Sequence, residues 1–311
     1  QPDQYSFLMA INAWANAASA AVSTGKVSDG QFAADHAEEL LKRLQKQMLS
    51  TNKTTIACYG AVIRTWASLG RAERAQKVLE EMVEISGRLP LDLIHFNAVF
   101  DAWAQDLASV KDVDKLIPRL SGIHDLLMKM DSGGGYQSYN VDPDTSSFNH
   151  VIRACYAPWA SSRAHSDEST QHEALDIAYD AFTKMNQDYN SSHRPDAHTY
   201  AHMFKAVACL LPSTTNTAPD THSEKYGLLK TTLHACCRDG HLTKSSLWIL
   251  RKMFPVEDEF AELLLTQMEQ HHGDISKEKL LSIPEDRLHA FLPDEWSRKG
   301  GKNKSLNKHR Q

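Results

Sequence analysis

Residues 59–82 read YGAVIRTWASLGRAERAQKVLEEM, and in them Tyr59, Val62, Ile63, Trp66 and Ala67 fall at the spacing that lines one face of a helix. Gly70 follows, a residue that tolerates the left-handed backbone of a helix stop. Ala75, Val78, Leu79 and Met82 then make a second apolar stripe, interleaved with Arg74, Lys77, Glu80 and Glu81. Two amphipathic helices joined by a tight stop predict an antiparallel hairpin. The small Ala61, Ala67 and Ala75 let the axes approach, and Trp66 is large enough to fill the gap to a neighbouring hairpin.

The opening phrase of that hairpin recurs at Phe7 to Trp14, Phe96 to Trp103, Phe148 to Cys155 and Tyr200 to Val207, with aromatic anchors 52, 37, 52 and 52 residues apart. Self-similarity of this kind marks a solenoid whose repeats share one continuous core. In the first unit the spacing predicts a helix from Asp3 to Ala17, a polar insertion from Ser19 to Gly30, and a second stripe of Phe32, Ala37, Leu40, Leu41, Leu44 and Met48. The third unit runs from Leu93 to Gln105 and from Val113 to Met130, with Pro118 near a helix start or kink and a loop at Gly133, Gly134 and Gly135. Insertions at Pro158 to Gln171 and Pro212 to His222 separate the helices of the fourth and fifth units. Short helices near Ser245 to Met253 and Phe260 to Gln270 close the chain, as the end of a stack needs a cap over its apolar face.

The 311 residues include only 14 Gly and 11 Pro, which points to an ordered chain. No apolar run reaches the roughly 18 residues that a membrane span needs, so no membrane association is expected. Gln1, Pro2 and Asp3 read as the end of a repeat, so a processed or cut N-terminus without a sorting peptide is expected. Five cysteines without CxxC spacing predict small buried side chains in a reducing compartment. The net charge is −5, yet the last fifteen residues hold six cations and no acid, so the remainder stands at −11.

Motifs of chemistry are incomplete. His36 and Glu38 give an HxE, but no PCxxC supplies the other zinc ligands of a deaminase. His271 and His272 lack metal-site spacing, and Gly300, Gly301 and Lys302 lack that of a phosphate loop. Neither catalysis, a metal nor a cofactor is expected.

The junctions before the first helices carry more. Leu91-Asp92, Pro143-Asp144 and Arg194-Pro195-Asp196 place an aspartate where it caps a helix N-terminus. A methionine late in helix two, a linker ending in Pro-Asp, then aromatic-Asn-x-Val-hydrophobic resembles the pentatricopeptide repeat over residues 2 to 253. The long insertions and the ending around Leu292 to Arg298 are similar to algal and protist members, which work in mitochondria or plastids. The resemblance implies a reader of single-stranded RNA, in which the residue after the aromatic and the last residue of the repeat meet one base. Carried onto this chain, it pairs Asn97 with Asp144 and Asn149 with Asp196, a combination associated with uracil, and makes Ile94 a base-sandwiching residue. Leu8, Gly60 and Ala201 hold the first reading position in the other units; Asn16, Ser68 and Gln105 stand where a basic residue often approaches phosphate. Arg298, Lys299, Lys302, Lys304, Lys308 and Arg310 are candidates for the RNA backbone.

The expected fold is therefore an all-α, right-handed α-solenoid of about five helix-turn-helix repeats over residues 1–253, a helical cap over 254–296 and a basic tail over 297–311. The expected function is non-catalytic RNA binding in an organelle, supporting processing, stability or translation. A protein-interaction scaffold, such as a helical-repeat subunit of a mitochondrial ribosome or another large assembly, with protein partners in a ribonucleoprotein, stays open as the alternative.

Overall fold

The computed structural model describes residues 2–47, 53–86, 91–110, 112–131, 141–160, 168–187, 193–211, 219–254, 257–268 and 276–298. Among these residues the chain is all helical, with no strand. The helices are α1 (Gln4–Ser23), α2 (Val27–Gln47), α3 (Lys53–Ser68), α4 (Ala72–Ser86), α5 (Leu93–Leu107), α6 (Leu116–Asp131), α7 (Thr145–Ala160) and α8 (Glu168–Gln187). They continue as α9 (Ala197–Leu210), α10 (Pro219–Asp239), α11 (Lys244–Met253), α12 (Glu257–Met268), α13 (Lys277–Leu281) and α14 (Glu285–Phe291).

The packing follows a repeating order. Each odd-numbered helix from α1 to α9 packs on the next odd-numbered one, and α2, α4, α6 and α8 each bridge two successive members of that row. The five aromatic anchors Phe7, Tyr59, Phe96, Phe148 and Tyr200 are all buried in one apolar core that runs from α1 to Trp296. Gly70 has φ 64°, the left-handed stop between α3 and α4.

Two neighbouring interfaces repeat the same solution around a tryptophan. Trp66 is fully buried and its Nε1 donates to Glu38 Oε2 of α2 at 2.9 Å, while the Arg74 guanidinium of α4 covers the ring at 4.6 Å. Trp103 Nε1 donates to Gln76 Oε1 of α4 at 2.8 Å, and Arg119 of α6 lies 5.9 Å from its ring. Each indole thus finds its acceptor on the preceding hairpin and its cation on its own.

The first hairpin differs from its expected outline. α1 extends to Ser23 rather than Ala17, because Ala15, Ala17, Ala18, Ala20 and Ala21 favour continued helix, and Gly25 at φ 73° makes the turn. Little of the expected insertion remains, since α2 already begins at Val27. Phe32 is 59% exposed and not part of the core stripe. The buried stripe of α2 is Gly30, Ala33, Ala34, Ala37, Leu41 and Leu44, and Phe32 lies off it, edge-on to Trp14 and His36. Pro118 sits in the first turn of α6, where its missing N–H leaves no helical bond unmade. The Gly133 to Gly135 loop lies outside the described residues.

At the C-terminal end α11 packs on α9, and α14 packs on α11. Leu242 N–H donates to Trp296 O at 2.8 Å, and buried Trp296 closes the core against α10.

Candidate nucleic-acid interface

The aspartates that precede the first helices cap them. Asp92 accepts from Ile94 N–H at 3.0 Å, Asp144 from Ser147 N–H at 2.9 Å, and Asp196 from Thr199 N–H at 2.8 Å. For Asp196 the cap is reciprocal, as its own N–H donates to Thr199 Oγ1 at 3.0 Å.

The same carboxylates reach back to the preceding first helix. Asn97 Nδ2 of α5 donates to Asp144 Oδ1 at 3.2 Å, and Asn149 Nδ2 of α7 donates to Asp196 Oδ1 at 3.3 Å. The two asparagine–aspartate pairs expected from sequence are therefore juxtaposed, at successive junctions and in the same register. Burial pushes the Asp196 carboxyl up, but the Thr199 N–H, the Thr199 hydroxyl and the Asn149 amide outweigh it and hold the group below its ordinary value. Because a carboxylate only accepts, each amide must turn its NH2 toward the aspartate, which fixes where its oxygen points.

Those oxygens differ. Asn97 Oδ1 accepts from Ser147 Oγ at 2.7 Å, whereas Asn149 Oδ1 is buried with no hydrogen-bond partner. Thr199, in the register of Ser147, directs its hydroxyl to Asp196 Oδ1 at 3.0 Å. Ile94 is 53% exposed, an aliphatic surface three residues before Asn97.

A cleft of about 250 Å³ opens between α7 and α9 at the second pair, lined by Asn149, His150, Arg153, Asp196, His198 and His202 among others. His202 Nδ1 pairs with Tyr156 OH at 2.7 Å, and burial, helped by Lys205 and Arg153, brings its pKa down to about 4. Burial also lowers His150, against the pull of Asp101. Arg153 is paired with Asp101 of α5.

Sequence reasoning missed this lining. Five residues beyond each anchor stand Asn12, Arg64, Asp101, Arg153 and Lys205, so the row is basic in three of five units. The register follows by counting from the aromatics, but the helix-end motifs do not point to it. The first helices α1, α3, α5, α7 and α9 hold four bases, Lys53, Arg64, Arg153 and Lys205, against Asp101 and Asp106. The second helices α2, α4, α6 and α8 hold fourteen acids against eight bases. Negative charge is thus concentrated in one row.

Arg298 is exposed and lies over Gly240, where a Cβ would meet its Cγ at 2.7 Å. Lys299, Lys302, Lys304, Lys308 and Arg310 lie outside the described residues. Cys58, Cys155, Cys236 and Cys237 are buried thiols, and burial pushes Cys58 up to about 11. Among the described residues no three His, Cys, Asp or Glu side chains converge as metal ligands, and no helix is long and apolar enough to cross a membrane. Compared with protein-family models, curated proteins and solved structures, the chain matches none.

Proposed function

We propose that the chain is a pentatricopeptide-type, right-handed solenoid of about five hairpins with a helical cap, and that it binds single-stranded RNA along the row of first helices. The observation that carries this reading is the repeated bridge from Asn97 to Asp144 and from Asn149 to Asp196. Packing alone needs no amide tethered by a carboxylate at two successive junctions, whereas a base reader needs a polar edge held in one orientation. Each amide keeps one N–H with no bond to the protein, a donor for a base carbonyl. The cleft beside Asn149, lined also by Asp196 and His198, gives a base room to approach. Ile94 supplies an apolar platform, while Arg64, Arg153 and Lys205 supply phosphate neutralisation. The chain does no chemistry of its own in this reading; it supports processing, stability or translation of a transcript in a mitochondrion or plastid.

The acid-rich second helices favour one further partner, a basic protein within a ribonucleoprotein such as a mitochondrial ribosome. Selection from a random single-stranded RNA pool tests the main reading. The wild type enriches a U-U step, and Asn97→Ala with Asn149→Ala relaxes that preference. Unchanged selectivity in the double variant removes the base-reading assignment. A pool from which no RNA is retained leaves the scaffold.

A further inference from the structure

The junction between α3 and α5 is built from the same parts as the two reading junctions, with one exchanged. Gly60 follows the anchor Tyr59 as Asn97 follows Phe96 and Asn149 follows Phe148. Asp92 caps α5 as Asp144 and Asp196 stand at the starts of α7 and α9. The carboxylate is therefore retained and the amide is missing.

What fills the vacant position is His95. A Cβ on Gly60 would lie 2.1 Å from His95 Nε2 and 2.7 Å from its Cδ2, far inside contact distance, so the imidazole rests directly on the bare backbone. His95 is 6% exposed. It immediately precedes the anchor Phe96, the register of Ser147 and Thr199 in the next two units. In those units the short side chain keeps its oxygen 3.0 Å from the capping aspartate, Ser147 reaching Asn97 Oδ1 at 2.7 Å as well, and leaves the space above the preceding helix to an asparagine. A histidine has no hydroxyl to fold back, so Asp92 takes the Ile94 N–H alone and the ring extends across the junction. Burial and the nearby Arg64 disfavour the imidazolium, against the pull of Asp92.

The other junctions do not share this mixture. Leu8 and Ala201 hold the reading position in α1 and α9, and α11 is capped by Thr243 rather than by an aspartate.

We infer that His95 is a plug that shuts the α3–α5 module, so that the chain reads two contiguous bases and passes the neighbouring one unread. This rests on the RNA-groove reading above. Gly60 and His95 form a coupled pair: an asparagine at 60 is incompatible with the ring, and removing the ring without restoring the amide leaves an open but mute slot.

The test measures affinity for adenosine 12-mers carrying either two or three adjacent uridines, using the wild type, His95→Ser, and Gly60→Asn combined with His95→Ser. The wild type and His95→Ser bind the two oligonucleotides to within about twofold, the statistical factor for two registers against one. The double variant prefers three uridines by on the order of tenfold, the size expected when one more base is read. A folded double variant without that preference overturns the plug, as does a wild type that already prefers three uridines by about tenfold. If the wild type does not distinguish two uridines from an all-adenosine 12-mer, the RNA reading itself fails. The steric half of the inference is then decided by urea midpoints: Gly60→Ala lowers the midpoint and His95→Ser added to it restores it, and independent effects overturn the coupling.

Discussion

Two asparagines in one register should respond differently to the same truncation. Asn97→Ala removes two hydrogen bonds, the one to the Asp144 carboxylate and the one that Oδ1 accepts from Ser147 Oγ. A bond to a charged group contributes about 1.5 kcal/mol and a neutral one about 1 kcal/mol, so a loss of about 2.5 kcal/mol is expected. Asn149→Ala removes one bond to a carboxylate, but it also deletes a buried carbonyl oxygen that has no partner. An unsatisfied buried acceptor costs about 1–3 kcal/mol, so the two changes nearly cancel and the net effect lies within about 1 kcal/mol of zero. Urea unfolding followed by far-ultraviolet circular dichroism reads both variants. Amide exchange in α7 and α9 localises the effect, since stacked repeats need not open as one unit. Equal destabilisation by the two substitutions, or a larger loss from Asn149→Ala, refutes the assignment of the orphan oxygen.

Other consequences are independent of RNA. Trp66→Ala empties a fully buried site and removes the indole donor from Glu38 Oε2, which keeps Arg74 at 3.3 Å, so about 3–5 kcal/mol of stability should be lost in the same urea assay; a loss under about 1 kcal/mol would mean that the α2–α3 interface is not packed as described. His202 has a pKa near 4 in the folded chain against an ordinary 6.5, so the unfolded chain binds the extra proton in that window. Stability therefore falls as pH drops from 6.5 to 4, and His202→Gln should flatten that decline; a slope unchanged by the substitution would assign the acid sensitivity to other groups.

The hairpins were legible because their signal is redundant. An aromatic anchor with apolar residues three, four and seven positions on specifies a buried face several times over, and all five anchors are buried. The boundaries of α1 and the burial of Phe32 were not legible, because an alanine run carries no face of its own and small Gly30, Ala33 and Ala34 outcompete an aromatic for a close-packed interface. At the candidate site, the pairing of Asn97 with Asp144 and of Asn149 with Asp196 came from the resemblance to a repeat family, and each asparagine amide donates to its aspartate. What the resemblance could not supply is the fate of the amide oxygens, which depends on whether the next helix offers Ser147 or Thr199. Nor could it show His95 lying on Gly60, since a side chain crossing between helices 35 residues apart leaves no mark on local periodicity.

The net charge of −5 looks unsuited to a polyanion, but what matters is where the acids stand relative to the screening length. Packed helix axes lie about 8–10 Å apart, and the Debye length is about 8 Å at physiological ionic strength. Exposed acids on the second helices, such as Glu80, Glu84 and Asp176, are therefore a screening length or more from a ligand on the first-helix row, whereas Asp101 stands in that row and pairs with Arg153. Neutralising Glu84 and Asp176 together, by Glu84→Gln and Asp176→Asn, should leave RNA affinity unchanged at about 0.15 M salt and raise it only near 0.01 M, where the Debye length reaches about 30 Å. Asp101→Asn should strengthen binding at both, by freeing Arg153 and removing a like charge from the groove. Arg153→Ala with Lys205→Ala should lower the dependence of log affinity on log salt by about 0.7 for each phosphate that is no longer neutralised. Should Glu84→Gln with Asp176→Asn match Asp101→Asn at about 0.15 M, the ligand would have to lie over the second helices, and the first-helix groove would not be its path.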